Sequence, residues 1–270
     1  QEIRFCRSTD GVRIAYATTG KGPPLIRVSN WMTHLNLDWE SPVWSHWFSE
    51  LSRDHTLVRY DPRGTGLSDR DVDDFSIETW TRDLEAVVSD LGLDQFPLLG
   101  LCQGGAVAIA YAARHPDQVN HLVLYDSYLR GAYREGMSST MKEKAQALEK
   151  MIEVGWGKEE TAFRRVFADL LFPGATKRQQ DWLTELQRQT VSPDSASLLW
   201  RAFNDIDVLR EARRVEVPTL VFHVRGDCMV PFDAGREVAA HIQDARFVPL
   251  EGHNHILLDD EQGFRTLLQE

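Results

Sequence analysis

The chain has 270 residues, of which 42% are hydrophobic and 26% charged, a composition too apolar for a disordered chain and long enough for one large domain or two small ones. Its 30 Lys and Arg residues against 41 Asp and Glu residues give a formal net charge of −11, which is the wrong sign for a general nucleic-acid binder. No apolar run approaches the roughly 20 residues of a membrane span, so a soluble protein is expected.

Strand and helix signals alternate over the first third of the chain. Short apolar or β-branched runs predict strands over 3–7, 12–18, 25–28 and 56–60. Between the first two runs, Thr9-Asp10-Gly11 is a turn signal that predicts a hairpin. Helical spacing predicts a helix over 42–51, begun by Ser41 and Pro42, and a second over 77–91, ended by Gly92.

Two wholly apolar runs, over 96–99 and 119–125, predict strands on either side of a small-residue helix over 104–114. Strands that are apolar on both faces and alternate with helices are typical of a parallel sheet covered on both sides. The same alternation returns near the C-terminus. There the pattern predicts strands over 219–224 and 246–249, a helix over 232–241 and a last helix from about 261.

The middle of the chain, 127–205, has long charged segments dotted with aromatic residues and no convincing strand. Its spacing predicts helices over 141–151, 159–171, 177–190 and 195–203. The simplest arrangement is an α/β core, formed by 1–126 and 206–270, that is interrupted by a helical lid formed by 127–205.

The segment Gly100-Leu101-Cys102-Gln103-Gly104-Gly105 joins an apolar strand to the small-residue helix. A nucleophile elbow needs this context, because its turn is so sharp that the central residue is strained and glycines such as Gly100 and Gly104 must flank it. The central side chain then projects at a helix N-terminus, where the dipole favours a thiolate. Cys102 is therefore the candidate nucleophile, and a buried packing role is the alternative.

Cys6, Cys102 and Cys228 are too few and too scattered for a disulfide framework or a four-ligand zinc site. The first ten residues show no basic and apolar leader, so a reducing cytoplasm is the expected compartment. Elbows of this kind usually hold Ser. Cys102 is either a natural nucleophile or an engineered Ser→Cys replacement that slows turnover, and the sequence leaves both open.

An acid and a base should follow the nucleophile along the chain. Asp227 comes directly after the predicted strand 219–224 and is the candidate acid. His253 and His255 both lie in the loop after the last predicted strand, and either could be the base. With Cys102, these residues would form a nucleophile, base and acid triad.

Motifs in four places resemble those of the α/β-hydrolase superfamily, in the same order along the whole chain. They are the elbow, a D-x-R-G-x-G-x-S loop at 61–68, a D-x-x-V-P acid loop at 227–231 and an N-H-x-L-L histidine loop at 254–258. The last is similar to one bacterial, esterase-like and lactonase-like branch and favours His255, although Gly252-His253 resembles the commoner G-H signature. The resemblance implies an α/β-hydrolase fold, with a mostly parallel central sheet flanked by helices and an inserted helical lid.

The resemblance also implies two backbone donors for an oxyanion. One is the N–H of Gln103, the residue after the nucleophile. The other comes from the loop after strand 25–28, where the family often has His-Gly and this chain has Ser29-Asn30-Trp31. The N–H of Trp31 is the candidate donor, and a place in the pocket wall is the alternative role for this residue.

These inferences predict a hydrolase that cleaves an ester, lactone or thioester with an apolar acyl group through an acyl-enzyme on Cys102. One alternative is an acyltransferase or cyclising thioesterase that uses the same thioester, and another is a non-catalytic ligand-binding regulatory module. The expected partner is a small-molecule substrate, with no nucleic acid, membrane, metal or other cofactor. The sequence assigns no substrate-binding residue and no oligomeric state.

Overall fold

The computed structural model describes residues 1–158 and 162–270. The strands are β1 (Glu2–Arg7), β2 (Arg13–Thr19), β3 (Pro24–Val28), β4 (Thr56–Asp61), β5 (Phe96–Leu101), β6 (Val119–Tyr125), β7 (Thr219–Val224) and β8 (Arg246–Leu250). The helices are α1 (Leu35–Trp39), α2 (Ser45–Leu51), α3 (Ile77–Leu91), α4 (Gln103–Arg114), α5 (Ser139–Gly155), α6 (Ala162–Leu171), α7 (Lys177–Thr190), α8 (Pro193–Asn204), α9 (Leu209–Ala212), α10 (Phe232–His241) and α11 (Gln262–Gln269).

The strands form one sheet in the order β1-β2-β4-β3-β5-β6-β7-β8. β1 and β2 pair antiparallel around the turn at Thr9-Asp10-Gly11, β2 pairs antiparallel with β4, and every further pair is parallel. The predicted hairpin and the mostly parallel sheet are confirmed. Because β3 to β8 run in one direction, the loops after their carboxyl ends meet at one edge of the sheet.

Local signals place several helix ends where the sequence predicts them. The Ser76 hydroxyl accepts a hydrogen bond from the Thr79 N–H, while the Thr79 side chain accepts one from the Ser76 N–H, so a capping box starts α3. Gly92 ends the same helix in the left-handed region, at φ 61°. The helix α4, between β5 and β6, is buried along almost its whole length, which its small residues allow.

The structure corrects the prediction of a helix over 42–51. The Ser41 hydroxyl accepts hydrogen bonds from the N–H groups of Val43 and Trp44, both at 3.0 Å, and so closes a separate turn. The helix α2 begins only at Ser45. The sequence pattern also missed α1, because five residues are too few to show a helical period.

Between β6 and β7 the described residues form the helices α5 to α8, followed by the short α9. Of the helix predicted over 159–171, residues 159–161 lie outside the described residues, and the rest forms α6. The two ends of this insertion lie together, because the Gly131 N–H donates to the Ile206 carbonyl at 2.9 Å and the Tyr133 N–H to the Asn204 carbonyl at 2.8 Å. In the described ranges no helix has the length and apolar character needed to cross a bilayer.

A buried ion pair joins the loop after β4 to α3. Arg63 is 2% exposed. Its guanidinium donates hydrogen bonds to the Asp83 carboxylate from two nitrogens, and the shortest of them, from Nη2 to Oδ1, is 2.7 Å. The backbone N–H of Arg63 also donates to Asp83 Oδ2 at 3.1 Å. Both side chains are shielded from water, so removal of Asp83 leaves the buried Arg63 charge with only the partly exposed Asp10 carboxylate, which lies 2.8 Å from its Nη1.

We expect Asp83→Asn to lower the free energy of unfolding by roughly 3–5 kcal/mol, the usual cost of breaking a buried pair. Glu78→Gln is the control, since Glu78 pairs with Arg114 at the exposed surface, where such pairs contribute less than about 1 kcal/mol. Urea unfolding followed by circular dichroism measures both. Equal shifts of the two midpoints would contradict the structural role of the Arg63–Asp83 pair.

Candidate active site

Cys102 lies between β5 and α4 with a backbone φ of 51° and ψ of −126°. A positive φ is strained for a residue with a Cβ and costs on the order of 1–3 kcal/mol. Two backbone hydrogen bonds hold this conformation. The Cys102 N–H donates to the Tyr125 carbonyl at 2.9 Å, and the Cys102 carbonyl accepts from the Gly105 N–H at 3.0 Å.

The glycines around Cys102 are required by close approach rather than by their own dihedral angles. A Cβ on Gly100 would lie 2.7 Å from the Gly105 Cα, and a Cβ on Gly104 would lie 2.6 Å from the Ser29 carbonyl oxygen. Both neighbours are backbone atoms that cannot turn aside. Glycine at 100 and 104 therefore lets α4 approach β5 and the loop after β3.

His255 and Asp227 form a buried hydrogen-bonded pair. The distance from His255 Nδ1 to Asp227 Oδ2 is 2.7 Å, and their side chains are 3% and 0% exposed. The other carboxylate oxygen of Asp227 accepts hydrogen bonds from the N–H groups of Met229 at 2.7 Å and Val230 at 3.2 Å. A proton on Nδ1 is therefore held by the carboxylate, which leaves Nε2 of His255 for chemistry.

The charges in this site favour an imidazolium at His255. Burial lowers the pKa of His255, but the Asp227 carboxylate and a hydrogen bond with the Cys102 side chain outweigh it and raise that pKa well above its usual value. Burial raises the pKa of Asp227, whereas His255 and the Met229 N–H lower it to a net value below the usual one. The Asp227 carboxylate and the Cys102 side chain thus both favour the protonated form of the imidazole between them.

The other candidate base, His253, lies apart from this arrangement. Its side chain is exposed and packs beside Gly226, and it does not line the cavity that Cys102 opens into. His255 is anchored at its backbone, since its N–H donates to the Leu171 carbonyl at 2.8 Å and its carbonyl accepts from the Tyr125 hydroxyl at 2.9 Å. The structure therefore brings His255, and not His253, to Asp227 and Cys102.

Sequence reasoning missed a second carboxyl group, that of Asp126, at the end of β6. Its Oδ2 lies 3.7 Å from His255 Nδ1, and its Oδ1 accepts a hydrogen bond from the Val224 N–H at 2.7 Å. Burial and the neighbouring Asp227 raise the pKa of Asp126 well above its usual value. The signal was available, because Asp126 follows an apolar strand as Asp227 does.

Asp126, His223 and Asp227 are also the group that offers metal-ligand atoms within 4.8 Å of one another. Protein partners engage one nitrogen of His223 and both carboxylate oxygens of Asp227, whereas Asp126 Oδ2 and His223 Nδ1 have no hydrogen-bond partner among the described residues. The His223 ring Nε2 lies 3.1 Å from the Val230 carbonyl, which requires a proton on that nitrogen, and Asp227 is bonded to His255. The donor set therefore suits a hydrogen-bonded support for His255 better than a metal site.

The two backbone N–H groups predicted to bind an oxyanion belong to Gln103 and Trp31. Gln103 is the first residue of α4, and helix geometry leaves its N–H without a partner inside the helix. Trp31 lies in the loop after β3, next to Met32, whose φ of 62° marks a strained turn. Trp31 and Gln103 line the same cavity as Cys102 and His255.

The cavity above Cys102 has a volume of about 170 Å³ and mostly apolar walls. The inserted helices contribute much of this lining, which includes Met141, Leu148, Leu171, Phe172, Leu183, Leu186, Trp200 and Phe203. The Trp31 indole packs among the same helices, with its ring centre 5.7 Å from that of Trp156 and 5.1 Å from that of Trp200. Trp31 can therefore form part of the wall through its ring while its backbone N–H stays available.

Comparisons with known proteins agree with this fold. A family model described as the alpha/beta hydrolase fold matches residues 34–262. The AB hydrolase superfamily protein YisY of Bacillus subtilis (strain 168) is 26% identical over 259 residues, which cover 93% of this chain and 91% of that protein. The pimeloyl-(acyl-carrier protein) methyl ester esterase of Nitrosomonas europaea is 28% identical over 251 residues, which cover 91% of this chain and 94% of that protein. Esterase RhEst1 from Rhodococcus sp. ECU1013 shares the fold with a TM-score of 0.81 at 24% identity, covering 100% of this chain and 99% of that one.

Because Cys102 raises the pKa of His255, we expect Cys102→Ala to lower that pKa. An NMR titration of the imidazole nitrogens in both proteins measures the change. His46 is the internal control, since burial lowers its pKa and Cys102 is not among the groups that shift it. An unchanged His255 titration in the variant would contradict the interaction between the thiol and the imidazole.

Proposed function

The chain belongs to the alpha/beta hydrolase fold family and is an enzyme acting on ester bonds, and from this premise we propose that it cleaves small-molecule carboxylic esters, lactones or thioesters through an acyl-enzyme on Cys102. The observation that carries the proposal is that Cys102 shares an apolar cavity with His255, whose imidazole is bonded to the buried Asp227 carboxylate at 2.7 Å. A binding module without turnover has no need of this arrangement. The methyl ester esterase among the relatives supports the same class of bond.

In the first half of the proposed reaction, the Cys102 thiolate attacks the substrate carbonyl carbon. The developing oxyanion accepts hydrogen bonds from the N–H groups of Gln103 and Trp31. When the tetrahedral intermediate collapses, the bond to the leaving group breaks and His255 gives its Nε2 proton to that group. The acyl group then remains on sulfur as a thioester.

In the second half, water attacks the thioester carbonyl while His255 accepts its proton. Collapse of the second intermediate breaks the carbon–sulfur bond, releases the carboxylic acid and restores the thiolate and imidazolium. Asp227 keeps the imidazole in the required tautomer and orientation throughout, through its 2.7 Å contact with Nδ1.

The cavity limits the size of the acyl group. A volume of about 170 Å³ is close to that of an apolar cavity of ~150 Å³ that accommodates benzene. An acyl part of about six carbons therefore fits between Cys102 and the inserted helices. We propose that the segment 127–205 acts as the lid of this pocket, because its helices supply much of the apolar wall.

The thiol itself favours a second outcome for the same intermediate. A thioester reacts with amines and thiols more readily than an oxygen ester does, so an acyl group on Cys102 can pass to an acceptor other than water. Acyl transfer or cyclisation is thus the second candidate function. A free nucleophilic thiol also keeps its activity best in a reducing compartment, and we expect the enzyme to work in one such as the cytoplasm.

We expect Cys102→Ala and His255→Ala each to lower the turnover of p-nitrophenyl esters by at least about 1000-fold, as the loss of a nucleophile or base does. His253→Ala is the matched control and should keep wild-type turnover, because His253 is exposed and outside the cavity. Mass spectrometry of the wild-type enzyme during turnover should show the acyl adduct on Cys102. Full activity of Cys102→Ala would sink the proposed mechanism.

We expect kcat/KM to peak for acyl chains of about six carbons and to fall for longer ones. Ala145→Leu on α5 narrows the cavity, since Ala145 is 4% exposed and lines it, and should move the optimum to shorter chains. Ala147→Leu makes the same chemical change on the exposed face of the same helix and should leave the optimum in place. A chain-length series of p-nitrophenyl esters measures both, and an identical profile in all three proteins would refute the assigned acyl pocket.

A further inference from the structure

Two arginines stand in the apolar interior without a role in the chemistry described so far. Arg27 on β3 and Arg59 on β4 are register partners in neighbouring strands, and each is 1% exposed. Their Nε atoms have no hydrogen-bond partner among the described residues. The guanidinium groups lie against aromatic rings instead, 4.3 Å from the ring centre of Trp44 for Arg27 and 4.0 Å from that of Phe48 for Arg59.

A contribution to stability does not explain why the charged Arg27 side chain is buried. Burial lowers the pKa of its guanidinium to about 10, and burial raises the pKa of the nearby Asp38 carboxyl to about 7 despite the attraction between the two groups. Well-packed apolar residues in place of buried ions are often neutral or stabilising. The hydrogen bonds of the Arg27 side chain point to a role other than stability for the buried charge.

Arg27 bonds to the loop that carries the proposed oxyanion donor. Its Nη2 donates to the side-chain oxygen of Asn30, and the Asn30 side-chain amide donates to the Trp31 carbonyl at 3.3 Å. Asn30 is itself buried and lines the cavity above Cys102. A hydrogen-bonded chain thus runs from Arg27 through Asn30 to Trp31.

The rest of this loop is held at its two ends. At the start, the Ser29 hydroxyl donates to the Tyr60 carbonyl. At the end, the His34 N–H donates to Asp38 Oδ2 and the Leu35 N–H donates to Asp61 Oδ2, both at 3.2 Å. Met32, with its left-handed backbone, lies between these anchors. The hydrogen bond from Asn30 to the Trp31 carbonyl therefore restrains the middle of the loop, next to Met32.

We propose that Arg27 is a positioning residue of the oxyanion site. Its guanidinium holds the Asn30 side chain, which bonds the Trp31 carbonyl, so the Asn30–Trp31 peptide that carries the Trp31 N–H is restrained at both of its ends. The inference rests on the proposed function, since it concerns the same reaction. A displaced donor no longer matches the oxyanion of the transition state, while ground-state binding in the apolar cavity is little changed. Loss of Arg27 therefore acts on kcat rather than on KM.

Arg59 supplies a matched control within the same sheet. It has the same burial as Arg27 and also lies over Phe48, but its Nη2 donates to the Gln1 side chain at 2.5 Å and has no bond to the oxyanion loop. A change at Arg59 disturbs the buried charge and the packing to a similar extent. It leaves the chain from Arg27 to Trp31 in place.

The experiment compares Arg27→Lys, Asn30→Ala and Arg59→Lys. For the first two we expect kcat on a p-nitrophenyl ester to fall about 10–100-fold with KM within about twofold, less than the 10²–10³-fold loss of a whole oxyanion donor. Affinity for a trifluoromethyl ketone, which forms an oxyanion when Cys102 adds to it, should fall by the same factor as kcat/KM. Affinity for the product acid should be unchanged, and Arg59→Lys should keep kcat within about twofold.

The double variant Arg27→Lys with Asn30→Ala should be no slower than the slower single variant, because both changes cut one chain. Wild-type kcat in Arg27→Lys, or an equal loss in Arg59→Lys, would overturn the inference. If Arg27→Lys does not fold, Asn30→Ala carries the same test, since it breaks the chain and leaves the charge in place.

Failure of the proposed function is recognised separately, as a wild-type enzyme that forms no acyl adduct on Cys102. The positioning role is then decided by hydrogen exchange of the backbone amides over 29–34. Faster exchange in Arg27→Lys but not in Arg59→Lys supports the role of Arg27. Equal exchange in the two variants refutes it.

Discussion

The left-handed backbone at Cys102 is the constraint on which the rest of the site depends. At φ 51° a cysteine pays a conformational penalty, and the fold maintains it through the hydrogen bond from the Cys102 N–H to the Tyr125 carbonyl. Gly100 and Gly104 make the turn possible, because each faces backbone atoms that leave no room for a Cβ. The thiol is thereby held at the N-terminus of a buried helix, in the cavity that His255 also lines.

The parallel sheet places the other candidate site residues at the same edge as Cys102. Loops that follow strands of this sheet bring Trp31, Cys102, Asp126, Asp227 and His255 to one edge, although the first and last of them are more than two hundred residues apart in the chain. Two buried carboxyl groups then flank one imidazole. Only Asp227, at 2.7 Å, is close enough for a hydrogen bond, and this difference supports the orienting role that we propose for it.

The loop after β3 is restrained from both sides by different kinds of interaction. On the cavity side, the Trp31 ring packs against aromatic rings of the inserted helices, such as Trp156 and Trp200. On the sheet side, Arg27 bonds to the Asn30 side chain, and Asn30 bonds to the Trp31 carbonyl. Packing places the ring within the wall, while the directional bonds orient the backbone, so the geometry of the oxyanion donor depends on both.

The sequence by itself determined the features that are encoded locally. The alternation of apolar runs predicted the strands, Gly92 predicted the end of α3, and glycines around Cys102 marked the elbow, because each signal lies within a few residues of the structure it specifies. The sequence did not find α1, which is too short to show a period, and it started α2 too early at Ser41. Only the tertiary structure decided between His253 and His255, revealed Asp126 beside His255, and showed that Arg27 reaches the oxyanion loop. Those relations join residues from different strands, so they depend on distances that a linear pattern does not contain.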